Sequence, residues 1–153
     1  VPLFYLMRDI HLEDSLTGLI LAEATQALPL AIFVLRASFM DLPSELREAA
    51  LVDGAGEFRA FFAVMLPLAK SGVAAAGVLT FLATWNDFLL PLVLINTESL
   101  RTLPLGLAYL QGRYVTDIPH LAAATLLTAL PSVLIYLLLQ RQFARGVVAG
   151  AIK

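Results

Sequence analysis

Side chains able to do chemistry are sparse in this chain and fall into a few short clusters. Glu48, Ala49, Ala50, Asp53, Gly54 and Ala55 form a charged, small-residue cluster between two long apolar stretches, followed by Phe58, Phe62 and Leu66-Pro67. Trp85, Asn86 and Asp87 place an aromatic ring, an amide and a carboxylate inside the second stretch. Glu23 and Gln26, three apart in the first stretch, share a helix face. No cluster pairs a nucleophile with a base. Lys70-Ser71 superficially matches the end of a phosphate loop, but the glycines that would cradle phosphate are missing, and Gly54-x-Gly56 lacks a third glycine and follows no strand. His11 and His120 lie far apart without metal-ligand spacing, and the absence of cysteine excludes disulfides and thiolate metal centres. What these residues offer is recognition, not bond making: no catalytic residue, metal or cofactor is expected.

The elements that must position these clusters are membrane-grade. Of 153 residues, 59% are hydrophobic and only 14% charged, against roughly 25% charged in soluble domains. The net charge of −2 and the scattered basic residues argue against nucleic acid. Three stretches, about 16–39, 72–95 and 121–139, have the roughly 20 apolar residues that a bilayer crossing needs. In the third, ten side chains from Leu121 to Leu139 favour insertion by roughly 3–6 kcal/mol, and no charge opposes them. In the first, Arg36 near one end can snorkel, while the Glu23–Gln26 face is expected to look into the protein. Gly72, Ala76, Thr80 and Thr84, at four-residue steps, permit close helix packing. Pro29, Pro91 and Pro131 are tolerable in membrane helices, and Pro131 is expected to kink the third span. No signal-peptide pattern is present. Val1–Met7 reads as the end of an earlier helix, and residues 1–153 as the C-terminal part of a longer membrane protein.

Basic residues set the orientation. Arg36, Arg47, Arg59, Lys70, Arg141, Arg145 and Lys153 lie on one side, against Arg8, Arg101 and Arg113 on the other. The positive-inside rule then puts segment 41–70 and the C-terminus in the cytosol, and Asn96–Pro119 outside. Segment 41–70 reads as a helix–glycine–helix elbow. Its first helix, about 44–53, starts at Pro43, with Asp41 or Ser44 available as a cap, and stops at Gly54, which can turn left-handed. Its second helix, about 55–66, is open to capping by Asp53 and carries Phe58, Phe61, Phe62 and Met65 on one face, expected to pack on the base of the spans. The expected fold is all-α: a polytopic membrane helical bundle of three transmembrane helices plus this cytosolic helix-turn-helix.

The order E-A-A-x-x-D-G-A at Glu48–Ala55, with Leu66-Pro67 thirteen residues after Asp53, resembles the coupling loop of permease subunits of binding-protein-dependent ABC importers. The resemblance extends to Thr84–Pro91, Thr102–Leu107, Gly112-x-Tyr114, Gln140-Arg141 and Gly146-x-x-Ala149-Gly150, and is to the carbohydrate type. Ser71 departs from it, standing where many members have proline. The resemblance implies a permease subunit that moves a sugar-like solute by alternating access, driven by separate cytosolic ATPase subunits that hold the elbow. It implies a second permease subunit, an extracytoplasmic solute-binding protein facing Tyr109, Gln111, Arg113 and Tyr114, and a bacterial or archaeal plasma membrane. Trp85, Asn86 and Asp87 then have two readings: a lining of the solute path, or a helix-to-helix hydrogen bond with an interfacial tryptophan. A competing reading of the chain is a non-ATP polytopic membrane protein, such as a secondary transporter or a scaffold.

Overall fold

The computed structural model describes residues 2–110 and 118–150, with side chains as far as Leu138. Gln111, Gly112, Arg113 and Tyr114 lie outside the described residues, as do the side chains of the tail motif. Among the described residues the fold is all-α. It is that of a polytopic membrane protein: α2 (Leu16–Met40) and the Ile118–Leu138 part of α9 (Ile118–Gly150) are each long and apolar enough to cross a bilayer. The last helix does not stop at Leu139 but runs on to Gly150. Its Leu126, Leu127, Leu130, Leu134 and Leu138 are exposed, as lipid-facing side chains would be.

The stretch 72–95 is not one helix. Helix α6 covers Lys70–Trp85, and α7 begins only at Leu89 and ends at Leu94. Polar side chains compete with the helical ladder at the break. The Asn86 amide donates to the Leu82 carbonyl (2.8 Å), and Asp87 Oδ1 accepts from the Leu89 N–H (2.9 Å), a local turn that leads into α7, whose N-cap is Phe88. At the other end α6 meets the Glu57–Leu68 arm at a bend of 73°. That arm is three pieces: α4 (Glu57–Ala60), a π-helical turn (Phe61–Met65) and α5 (Leu66–Leu68). The Leu66 N–H reaches back to the Phe61 carbonyl, five residues away. Pro67 has no N–H to give Ala63 and its ring crowds that carbonyl, so a widened turn is the local solution.

Two compact units result. One is drawn from Val1–Ala27 and Leu82–Leu139, the other from Leu28–Phe81 and Gln140–Lys153. The first contains α1 (Pro2–Asp9) and a buried cluster of Met7, Leu19, Ala22, Leu94, Ile95 and Leu105. It also contains a short 3₁₀ turn (Glu98–Leu100) and α8 (Leu103–Leu110). In the second unit α6 passes close to the end of α2: a side chain at Gly72 would strike Ser38. Ala76, one step along the small-residue stripe, is buried. The stripe therefore serves packing at these two positions.

Candidate functional site

The elbow is built from the backbone outward. Helix α3 (Ser44–Val52) starts after Pro43, which takes the N-cap position without any side-chain bond, so neither Asp41 nor Ser44 caps it. At its other end Asp53 is the C-cap, and Gly54 adopts φ 84°, the left-handed conformation expected of it. The Gly54 N–H donates to Leu51 O and the Ala55 N–H to Ala50 O, both at 3.0 Å. This is the paired closure of a Schellman motif, which satisfies the helix's last carbonyls and fixes the direction of the exiting chain. Asp53 does not cap the following arm as expected; Gly56 occupies that position, without a side-chain bond. The carboxylate lost the role because the chain needs two more residues to turn.

Across this turn Arg47 of α3 and Glu57 of α4 form a two-pronged ion pair: Nε to Oε2 at 3.2 Å, and Nη2 to Oε1. Both are exposed, so the pair contributes at most about 1 kcal/mol. Its effect is geometric, since a bidentate guanidinium holds the two arms at one angle. In the sequence Arg47 marks only the orientation, and nothing singles out Glu57. Their ten-residue separation gives no periodic cue.

Around this brace the structure gathers Glu48, Ala49, Ala50, Asp53, Gly54 and Ala55 into one short surface, while Leu66 and Pro67 sit at the far end of the second arm. Glu48 and Ala49 are exposed, Ala50 and Ala55 half-buried. The aromatic face packs less than expected. Phe61 stacks on Phe39 of α2 at 5.6 Å between centroids and touches Phe62 edge-on. Phe58, however, is 83% exposed, and Val52 on the first arm is 87% exposed. Two large apolar side chains are thus bared beside a charged turn.

The second cluster lies at the α6–α7 break. The Trp85 indole N–H donates to the Thr128 carbonyl of α9 at 2.9 Å, the geometry of the helix-to-helix reading. Asn86 is exposed and Asp87 half-buried. Glu23 on α2 lies near enough to Asp87 for the two charges to interact, while Gln26 is exposed. Further along the same unit, Arg101 lies over the Tyr109 ring at 3.9 Å, beside a cavity of about 420 Å³ lined also by Glu98, Thr102 and Thr128.

Residues 1–148 match the family described as binding-protein-dependent transport system inner membrane component. The chain is 41% identical to the diacetylchitobiose uptake system permease protein of Streptomyces coelicolor, over all of this chain and 51% of that protein. It is 40% identical to the trehalose transport system permease protein of Mycobacterium tuberculosis, over 99% of this chain and 56% of that one. It is 38% identical to the arabinooligosaccharides transport system permease protein of Halalkalibacterium halodurans, over all of this chain and 54% of the relative. The chain thus spans about half the length of the curated relatives it matches.

Proposed function

The chain belongs to the family of binding-protein-dependent transport system inner membrane components, and we propose that it is part of a permease subunit that imports a sugar, driven by a separate ATPase. The observation that carries this reading is the elbow. A left-handed glycine and a bidentate brace fix two short arms, and the surface they present is apolar at Val52 and Phe58 and anionic at Glu48. A partner with a basic rim and an apolar cleft fits it. The ATPase subunit seats on the elbow, and its closure and opening move the arms. The bend between Leu68 and Lys70 hands that motion to α6, and the spans rock between outward- and inward-facing states as rigid bodies. Hydrolysis drives the switch because the ATPase contacts differ between the two states.

The elbow and the C-terminus face the cytosol in this reading, and a solute-binding protein docks on the opposite side, near Glu98–Leu110. The polar break at Asn86–Asp87, with Glu23 alongside, lines the route of the solute. Its carboxylates and amide suit hydroxyl groups, in keeping with the sugar names of the relatives. Trp85 frames the route from its bond to α9.

Purification in mild detergent tests the reading. The parent protein brings an ATPase subunit with it, and Glu48→Lys or Gly54→Pro releases that subunit and abolishes uptake while the protein stays in the membrane. Uptake that survives both changes removes the elbow from the mechanism.

A further inference from the structure

The turn between α1 and α2 is built around one carboxylate that the transport reading does not use. Among non-glycine described residues, only His11 and Asp14 adopt positive φ, at 58° and 47°. Such conformations cost an L-residue about 1–2 kcal/mol each, so surrounding bonds must hold them. Ser15 Oγ donates to the Leu12 carbonyl at 2.8 Å and accepts the Gly18 N–H at 3.1 Å, as an N-cap of α2 does. The Leu12 carbonyl presses so close to Gly18 that a side chain there would collide with it.

From this fixed turn Asp14 reaches across to the segment that follows α7. Its N–H donates to Leu94 O at 3.1 Å. Its carboxylate accepts the Asn96 N–H at 2.8 Å, the Thr97 N–H at 2.9 Å and the Thr97 hydroxyl at 2.6 Å. Residues eighty or more positions apart are therefore joined through main chain and side chain together. Bonds to an ionised acceptor are about twice as strong as neutral ones. A set of this kind leaves the start of α2 and the start of the Asn96–Leu110 segment little freedom to move independently.

We propose that Asp14 is a positioning residue for transport: its clasp makes the Asn96–Thr97 loop and the head of α2 one body, so that docking on the loop is felt by the helix whose far end leads into the elbow. The inference rests on the importer reading, which supplies the docking partner and the ATPase. A link between distant sites needs elements that cannot yield independently. The clasp provides that at the loop, and α2, one helix from Leu16 to Met40 with Pro29 inside it, is the element that leads on toward the elbow.

The test uses the complete transporter in lipid vesicles, with its ATPase subunits and solute-loaded binding protein, and reads ATP hydrolysis with and without that protein. Asp14→Ala keeps the basal rate and lowers the stimulated rate about tenfold, within the range of couplings between distant sites. Asp14→Asn retains a carbonyl that can accept the two N–H groups and restores part of the stimulation. Thr97→Val loses only the hydroxyl bond and lowers stimulation about two- to threefold. These two variants decide the matter where the alanine chain does not assemble. Parental stimulation in all variants overturns the proposal. So does a loss of basal and stimulated rates in equal proportion, which marks a mere brace. A parent complex whose hydrolysis ignores the binding protein removes the importer reading, and this inference with it.

Discussion

Gly54 and Asp14 both hold turns, by opposite means. Gly54 has open space around the position a side chain would take, so its constraint is purely its φ of 84°. Gly54→Ala should therefore destabilise the elbow by about 1 kcal/mol through backbone strain alone, with Gly54→Asn milder because asparagine tolerates that conformation. Exchange of the Ala55 amide, bonded to Ala50, measures the loss directly. Asp14 is held by bonds to its charge. The Thr97 hydroxyl first, then the Thr97 and Asn96 N–H groups, keep its carboxyl below the usual aspartate range. A depressed carboxyl stabilises the fold above the unfolded value, near 3.9, and that contribution fades as pH falls through the lower folded value. Amide protection at Asn96 and Thr97 should thus hold at neutral pH and collapse only in strong acid. In Asp14→Asn it should be weaker at neutral pH and lack that acid step.

At the scale of elements, the breaks are more informative than the helices. Replacing Trp85 by Phe keeps the ring and removes the donor to Thr128. The expected loss is about 0.6–1.7 kcal/mol, the range for hydrogen bonds between membrane helices. If Trp85→Phe unfolds in detergent or lipid like the parent, the bond joins α6 to α9 without stabilising them. The sequence made α2, α3, the stop at Gly54 and the apolar run of α9 legible, because each follows from length, periodicity or one special conformation. It did not make the interruption after Trp85 legible, since apolar content over 72–95 outvotes two polar side chains whose local bonds appear only once the helix is formed. The π turn at Phe61–Met65 was hidden for a similar reason: it answers to Pro67, several residues ahead. The elbow cluster was readable as a pattern, but its brace was not. Arg47–Glu57 and Asp14–Thr97 join residues whose separations match no repeat, so only the folded backbone reveals them.

For the whole molecule, the decisive property is which side of the bilayer each turn occupies. Three of the side chains nearest the elbow, Arg47, Arg59 and Lys70, are basic, and the positive-inside rule then assigns that side to the cytosol. Residues 1–153 contain no cysteine, so in a cysteine-free background each introduced thiol reports one place. Val52 and Ser99 are both exposed, one at the tip of the first arm and the other beside the Asp14 clasp. In intact cells a membrane-impermeant maleimide should label Ser99→Cys and spare Val52→Cys until the membrane is opened. In inverted vesicles the pattern should reverse, and labelling of Val52→Cys should fall when the ATPase subunits are bound, because the apolar tip is then covered. Labelling of both positions from one side would mean that α2 and the bent pair do not carry the chain across as their length and apolar character indicate. The elbow would then not lie on the side that the proposed coupling requires.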